Sequence, residues 1–160
     1  MHARYLNGLT IRSLANGDTD TIAALFARLG DRSREKRFCG AKPRLSDIEL
    51  HALARVDDDR HVLVGYVDGD SKPAAIARLV RGGKQAEVAF AVADVYQGRG
   101  IGSSLGGALA ADARAAGISE LVAMVCSDNA PMVSLLKRLG QSFQASWSGR
   151  EQELVVGLES

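Results

Sequence analysis

The residues of this chain that can do chemistry gather between Glu87 and Gly102. An apolar run carries one carboxylate, Glu87. A short turn follows, then Gln97-Gly98-Arg99-Gly100-Ile101-Gly102, and a helical pattern begins at once, from about Gly102. Glycine lets a backbone approach a ligand with no Cβ in the way. The first N–H groups of a helix have no internal partner and lie at the positive end of its dipole. Loop and helix together form an anion site suited to a diphosphate, that is, to a phosphorylated cofactor. Gln97 and Arg99 add side-chain donors, and Arg99 adds charge. A lone carboxylate on the preceding strand suggests proton transfer nearby.

Other phosphate loops fit less well. A P-loop ends in Gly-Lys-Ser/Thr, whereas Gly102 is followed by Ser103 and Ser104. The dinucleotide fingerprint Gly-x-Gly-x-x-Gly puts Ser103 or Leu105 where its third glycine belongs. The further motifs of a kinase are missing. A plain tight turn between strand and helix is the remaining structural alternative.

Glu87 is the only carboxylate in its apolar run. On a strand it shares a face with Ala89 and Ala91, while Phe90 and Val92 face the other way. The small residues leave space beside it. A carboxylate in a partly buried cleft is a credible base, because desolvation favours its neutral form. The bland reading is a glutamate at a sheet edge paired with a lysine or arginine.

The elements that must position these groups follow from periodicity. Leu9 to Leu14 alternates as a strand. Asp18 caps a helix with Ile22, Leu25, Phe26 and Leu29, ended by Gly30. Ser33 to Phe38 is a short helix or turn. Ser46 to Glu49 is a capping box, opening a helix with Ile48, Leu50, Leu53 and Ala54. His61 to Tyr66, Pro73 to Val80 and Gln85 to Val92 read as an antiparallel meander with turns at Asp68–Ser71 and Gly82–Lys84. A helix from about Gly102 to Ala116, a strand Glu120 to Cys126, a helix from about Asn129 to Leu139 and a strand pair around Gln144 to Val156 complete the chain. The expected fold is a mixed α/β sheet with helices on both faces.

Composition bounds the rest. The 160 residues suit one domain, 1–160, with a real core. Twenty basic and 19 acidic residues give a net charge of +1, which offers no support for nucleic-acid binding. No apolar run has membrane-spanning length, and Met1 to Arg4 leads into no signal-peptide core. Cys39 and Cys126 form no close pair in sequence, so free thiols and a reducing cytoplasm are expected.

Gln97-x-x-Gly100-x-Gly102 resembles the Arg/Gln-x-x-Gly-x-Gly/Ala signature of the Gcn5-related N-acetyltransferases, the GNAT family. Asn129, Met132 three residues on and Gly140 eleven on fit that family's downstream helix. The element order is similar across nearly the whole chain. Ser33-Arg34-Glu35, Arg37-Phe38, Leu45-Ser46, Val56-Asp57, His61 and Ala86-Glu87-Val88-Ala89-Phe90 resemble, more narrowly, the acetyltransferase domain of bacterial Pat-type protein lysine acetyltransferases. Many of those carry an additional regulatory domain, for which this chain has no room.

The resemblance implies an acyl-CoA N-acyltransferase fold and acetyl-CoA as co-substrate. The amides of Gln97, Gly98, Arg99, Gly100, Ile101, Gly102 and Ser103 would hold its pyrophosphate. The backbone of Phe90, Ala91 and Val92 would pair with its pantetheine arm, and Asn129 and Met132 would form the far wall. Glu87 would be the general base, taking the proton of an amine whose unperturbed pKa, for lysine, is about 10.4. A backbone N–H near Ala91-Val92 would stabilise the oxyanion. The family's tyrosine acid, seven residues after the asparagine, is Leu136 here. Ser134 and Tyr96 are near in sequence but off that position, and no general acid is assigned.

Other groups are weaker candidates. Cys126 lies near the cleft but has no histidine near it in sequence, so an acyl-cysteine route is disfavoured. Asp57 to His61 matches no metal-ligand spacing, and no metal is expected. The basic run Arg32 to Arg37 lines the CoA 3′-phosphate, lines an acceptor groove, or is a solvated helix face. The expected activity is acetyl transfer to an amine, first a protein lysine ε-amine. A small amine is the second choice, and a non-catalytic CoA-binding module a third. The partners expected are acetyl-CoA and the acceptor, without nucleic acid or membrane, in a monomer or homodimer.

Overall fold

A computed structural model describes residues 3–38 and 45–158. Eight strands form one sheet: β1 (Arg4–Leu6), β2 (Leu9–Ser13), β3 (Arg60–Val67), β4 (Ala75–Gly82), β5 (Gln85–Val92), β6 (Glu120–Cys126), β7 (Ser142–Ser148) and β8 (Glu151–Gly157). Their spatial order is β1-β2-β3-β4-β5-β6-β8-β7. Every neighbouring pair is antiparallel except β5 and β6. The helices are α1 (Thr19–Phe26), α2 (Asp31–Phe38), α3 (Asp47–Leu53), α4 (Ile101–Ala115) and α5 (Ala130–Lys137), with a 3₁₀ turn at Asp94–Tyr96.

Strand alternation sends side chains to two cores. On one face Leu63, Leu79, Val88, Phe90, Leu121 and Val156 pack with Leu105 and Leu109 of α4 and Leu136 of α5. On the other, Val62, Val64 and Ile76 pack with Ile22, Leu50, Leu53 and Ala54 around α1 and α3. The mixed sheet with helices on both faces is therefore the architecture the periodicity predicts.

Local signals act as read. The Asp18 carboxylate accepts from the Thr21 amide, and Ser46 and Glu49 make a reciprocal capping box. Three readings need correction. The helix assigned up to Gly30 stops at Phe26, and the Gly30 amide instead donates to Asp94 at 3.0 Å. Ile48, assigned to the apolar stripe of α3, is 83% exposed. Strand β1 is absent from the sequence reading, although Asn7-Gly8 is a hairpin signal. Both residues have positive φ, 48° and 81°, as a two-residue turn between right-twisting strands requires.

The cysteine expectation is also overturned. Cys126 is buried and disulfide-bonded, not a free thiol, because distance along the sequence says nothing of distance in the fold. Cys39 lies outside the described residues. A reducing compartment is no longer implied by the cysteines, and an acyl-cysteine route loses its nucleophile. Among the described residues no helix is long and apolar enough to cross a membrane.

Gly140, eleven residues past Asn129, is explained by packing. A Cβ there would run into the Gly157 carbonyl oxygen and Val156 Cγ1. Gly140→Ala is expected to cost about 1–3 kcal/mol through overpacking, read as a lower denaturation midpoint in urea with an unchanged slope.

Candidate active site

The site is built where two strands part. β5 and β6 pair in parallel at Gln85/Glu120, Ala86/Leu121 and Glu87/Val122, and there the pairing ends. Past Glu87, β5 stays bonded to β4 as far as Val92, but its other edge opens into a cleft. Val88, Ala89 and Phe90 form one wall, and Ala123, Met124 and Val125 the other; Asn129 and Met132 of the α5 end and Arg37 of α2 close it. Strand geometry points alternate N–H and C=O groups of the freed edge into this cleft, where they need partners.

At the top of the cleft lies the glycine loop. Gly98 and Gly100 have φ of 78° and 79°, in the left-handed region, and open space where a Cβ would be. Gly100 caps α4 with its backbone alone. Gly102 serves packing: a Cβ would lie 3.0 Å from Leu135 Cδ1 and 3.5 Å from Val92 Cγ2. That closeness sets α4 against α5 and β5. Ile101, Gly102 and Ser103 occupy the first turn, whose amides have no partner inside the helix.

The side chains around the loop are largely committed to holding it. Gln97 Nε2 donates to the Val92 carbonyl and to Ser33 Oγ, both at 3.0 Å. Its amide group is thus spent, and its backbone is what remains for a phosphate. Asp94 accepts from Ser33 Oγ at 2.6 Å and from the Gly30 amide. Tyr96 Oη donates to Asp70 at 2.6 Å, and Arg28 Nη2 donates to the same oxygen at 2.9 Å. Arg28 and Arg99 both lie over the Tyr96 ring, at 5.2 and 5.5 Å from its centroid. Sequence reasoning missed Arg28, Asp70 and Asp94 as loop supports. It also missed Arg138, whose Nη2 donates to Ser103 Oγ at 2.8 Å and brings a cation to the start of α4.

Glu87 stands on the face away from α4, with Ala89 and Ala91, as alternation predicts. It is exposed, not partly buried. Among the described residues its carboxylate has no hydrogen-bond or ion-pair partner, which argues against the paired-edge reading. Arg37 and Arg78 are close enough for its charge to act on both. Leu136 is fully buried in the core. Tyr96 has already directed its hydroxyl to Asp70, and Ser134 is exposed. None of the three offers a proton to the cleft.

The Asp57–His61 segment lies elsewhere, on a wide groove of ≈ 430 Å³ below the C-terminal end of α4. Asp57 pairs with Arg60 at 2.8 Å, and Asp112 on α4 meets Arg4 at 2.7 Å and His61 Nε2 at 2.8 Å. Among the described residues no group of three or more His, Cys, Asp or Glu is placed to hold a metal.

The acetyltransferase (GNAT) family model matches residues 23–141. Acetyltransferase Pat of Mycolicibacterium smegmatis is 44% identical over 95 residues, covering 57% of this chain and 28% of Pat. Among solved structures, the GNAT domain of S. lividans PAT superposes with a TM-score of 0.82 at 29% identity, covering 94% of this chain and 90% of that one. A cAMP-binding acyltransferase from Mycobacterium smegmatis gives 0.62 at 31% identity, over 96% of this chain and 46% of that one. This chain thus spans 28% of the curated relative it matches.

The loop support has a pH signature. The hydrogen bond from Tyr96, then those from the Lys72 amide and Arg28, hold the Asp70 carboxyl at about 2. A carboxylate depressed in the fold stabilises it above the unfolded pKa of about 3.9, and that contribution is lost as pH falls towards 2. The melting-temperature gap between wild type and Asp70→Asn is expected to be full above pH 5 and to close between about pH 4 and pH 2.

Proposed function

The chain belongs to the GNAT acetyltransferase family and is an acetyl-CoA N-acetyltransferase of that type, and from this premise we propose that its acceptor is a protein lysine ε-amine and its base Glu87. The observation that carries the reading is the place where β5 and β6 part. It leaves a free strand edge between the glycine loop and Glu87, so a thioester lying in the cleft is brought within reach of a carboxylate.

Each group then has a role. The α4 amides and the Gly98–Gly102 backbone receive the pyrophosphate. The edge of Val88 to Val92 pairs with the amide-bearing arm, and Met132 and Asn129 bound its far side. Glu87 accepts the ammonium proton, directly or through water. The exposed carboxylate is desolvated by the bound reactants themselves, since the protein alone does not bury it. The free amine adds to the thioester carbonyl, an inward-facing β5 amide stabilises the oxyanion, and the thiolate leaves. A thiolate is weakly basic, with a free pKa of about 8.5, so it departs without an acid. That fits a site in which Leu136 is buried. The Pat relatives support a protein acceptor. A small amine is the competing acceptor, and a CoA-binding module without catalysis is the reading that Leu136 favours.

Glu87→Gln is expected to lower acetyl transfer at pH 7 by about 10²–10⁴-fold while leaving the CoA dissociation constant within about twofold, measured by thiol release and calorimetry. Full activity in the variant would remove Glu87 as the base. Gly100→Glu, which puts a like charge and a Cβ into the phosphate loop at a left-handed φ, is expected to abolish CoA binding in the same calorimeter.

A further inference from the structure

The sheet has two outer edges, and they differ in kind. β1 is three residues long and carries Arg4, which is paired to Asp112. Short, charged edge strands resist further pairing. β7 is seven residues long and pairs with β8 in register from Ser142 to Ser148. Its sequence, Ser-Phe-Gln-Ala-Ser-Trp-Ser, has no charge, no proline and no glycine. Among the described residues no strand pairs with its outer edge. Such an edge presents a row of N–H and C=O groups able to take one more strand. Trp147, the only tryptophan of the chain, stands on it 64% exposed.

The strand also matches itself. Read in either direction it runs hydroxyl, aromatic, polar, alanine, polar, aromatic, hydroxyl. Two copies set antiparallel about Ala145 place Ser142 opposite Ser148, Phe143 opposite Trp147, Gln144 opposite Ser146, and Ala145 opposite itself. Side chains opposed across such a pair share a face and touch. Both Phe–Trp pairs then lie on the face where Phe143 packs against the core under α4 and α5, and the Gln–Ser pairs lie on the other. Lys137 Nζ already stands over the Phe143 ring, 5.2 Å from its centroid. A tryptophan opposite Phe143 brings a second ring to the same cation. No like charges meet across the paired strands, since neither strand carries one.

We infer that the chain forms a two-fold dimer by pairing β7 with β7, which continues the sheet through both copies. The occupant of the edge is a second copy rather than an unrelated strand, because the side-chain pattern is its own complement, as a two-fold interface requires. The axis stands perpendicular to the sheet, so each face of one copy runs on into the same face of the other. Glu87, Val122, Val155 and Gln144 form one row across the strands, and both Glu87 carboxylates therefore open to the same side. One strand edge is a small interface beside the about 800 Å² per partner of a standard complex, so the dimer is reversible, with a Kd expected on the order of 10 µM.

The test is sedimentation velocity of the full chain over a dilution series from about tenfold above to about tenfold below that Kd, with Trp147 emission read on the same samples. Wild type is expected to pass from dimer to monomer on dilution, and the emission to move to longer wavelength as the ring is uncovered. Ala145 is exposed, so Ala145→Glu and Ala145→Lys are each expected to fold, checked by circular dichroism. Each sets like charges opposite one another at the axis and is expected to raise the Kd by about tenfold or more. Mixed in equal amounts, with glutamate opposite lysine, the two are expected to recover the wild-type Kd within about threefold. A monomer at every concentration overturns the inference, and so does a dimer whose Trp147 emission does not change on dilution; neither result needs a variant to fold. A dimer that both variants leave intact, or that their mixture does not restore, overturns it as well.

Discussion

The structure depends on one interruption. A sheet of eight strands is continuous in its hydrogen bonding except past Glu87 and Val122, where β5 and β6 separate. Backbone groups at a sheet's interior are normally paired, and leaving them open inside a fold is costly. The separation is held from both sides. On one face Phe90 and Gly106 of α4 fit together, with Leu135 of α5 and Leu139 just beyond it against the same glycine. On the other face α2 lies across β5 and β6. What the sheet leaves open is a cleft between two strand edges, with Val88, Ala89 and Phe90 on one side and Ala123, Met124 and Val125 on the other. On the proposed function, the amide-bearing arm of CoA would complete the hydrogen bonding that the fold leaves undone.

The polar groups divide into two kinds around that slot. Ser33, Asp94, Gln97, Asp70, Tyr96 and Arg28 are bonded to one another and to backbone, and serve to fix the loop. Glu87 is kept out of such bonds, and Arg37 and Arg78 stand beside it under burial. The groups that hold the loop are satisfied by one another and by backbone. Tyr96 shows the distinction well. By sequence it is near the cleft and chemically able to give a proton, yet its hydroxyl is part of the scaffold.

What the sequence made legible was whatever depends on near neighbours. The strands Gln85–Val92 and Glu120–Cys126 carry their pattern locally, and so do the caps at Asp18 and Ser46. The glycine loop announced itself through residue type and spacing. Contacts between distant segments were not legible. The divergence of β5 from β6 depends on helices that pack on each face, and no periodicity encodes it. The inward placement of Arg37 was hidden because a charged run is normally a solvated helix face, and only the sheet beneath α2 makes one of its members face inward. Cys126 misled for the same reason, since its bonding depends on three-dimensional approach. Asn7-Gly8 is different: the signal was present in two adjacent residues and was overlooked.

The anchoring of the glycine loop has a thermodynamic meaning. Its beginning is fixed by Asp94, Tyr96 and Gln97, its end by α4, and between them Gly98 and Gly100 have open space where side chains would be. Glycines unanchored at either end would sample many backbone states, and a ligand would have to suppress them, losing affinity to conformational entropy. Here that ordering is largely accomplished when the chain folds. On the proposed function, a diphosphate would meet a loop already ordered, and more of the interaction energy would remain as affinity.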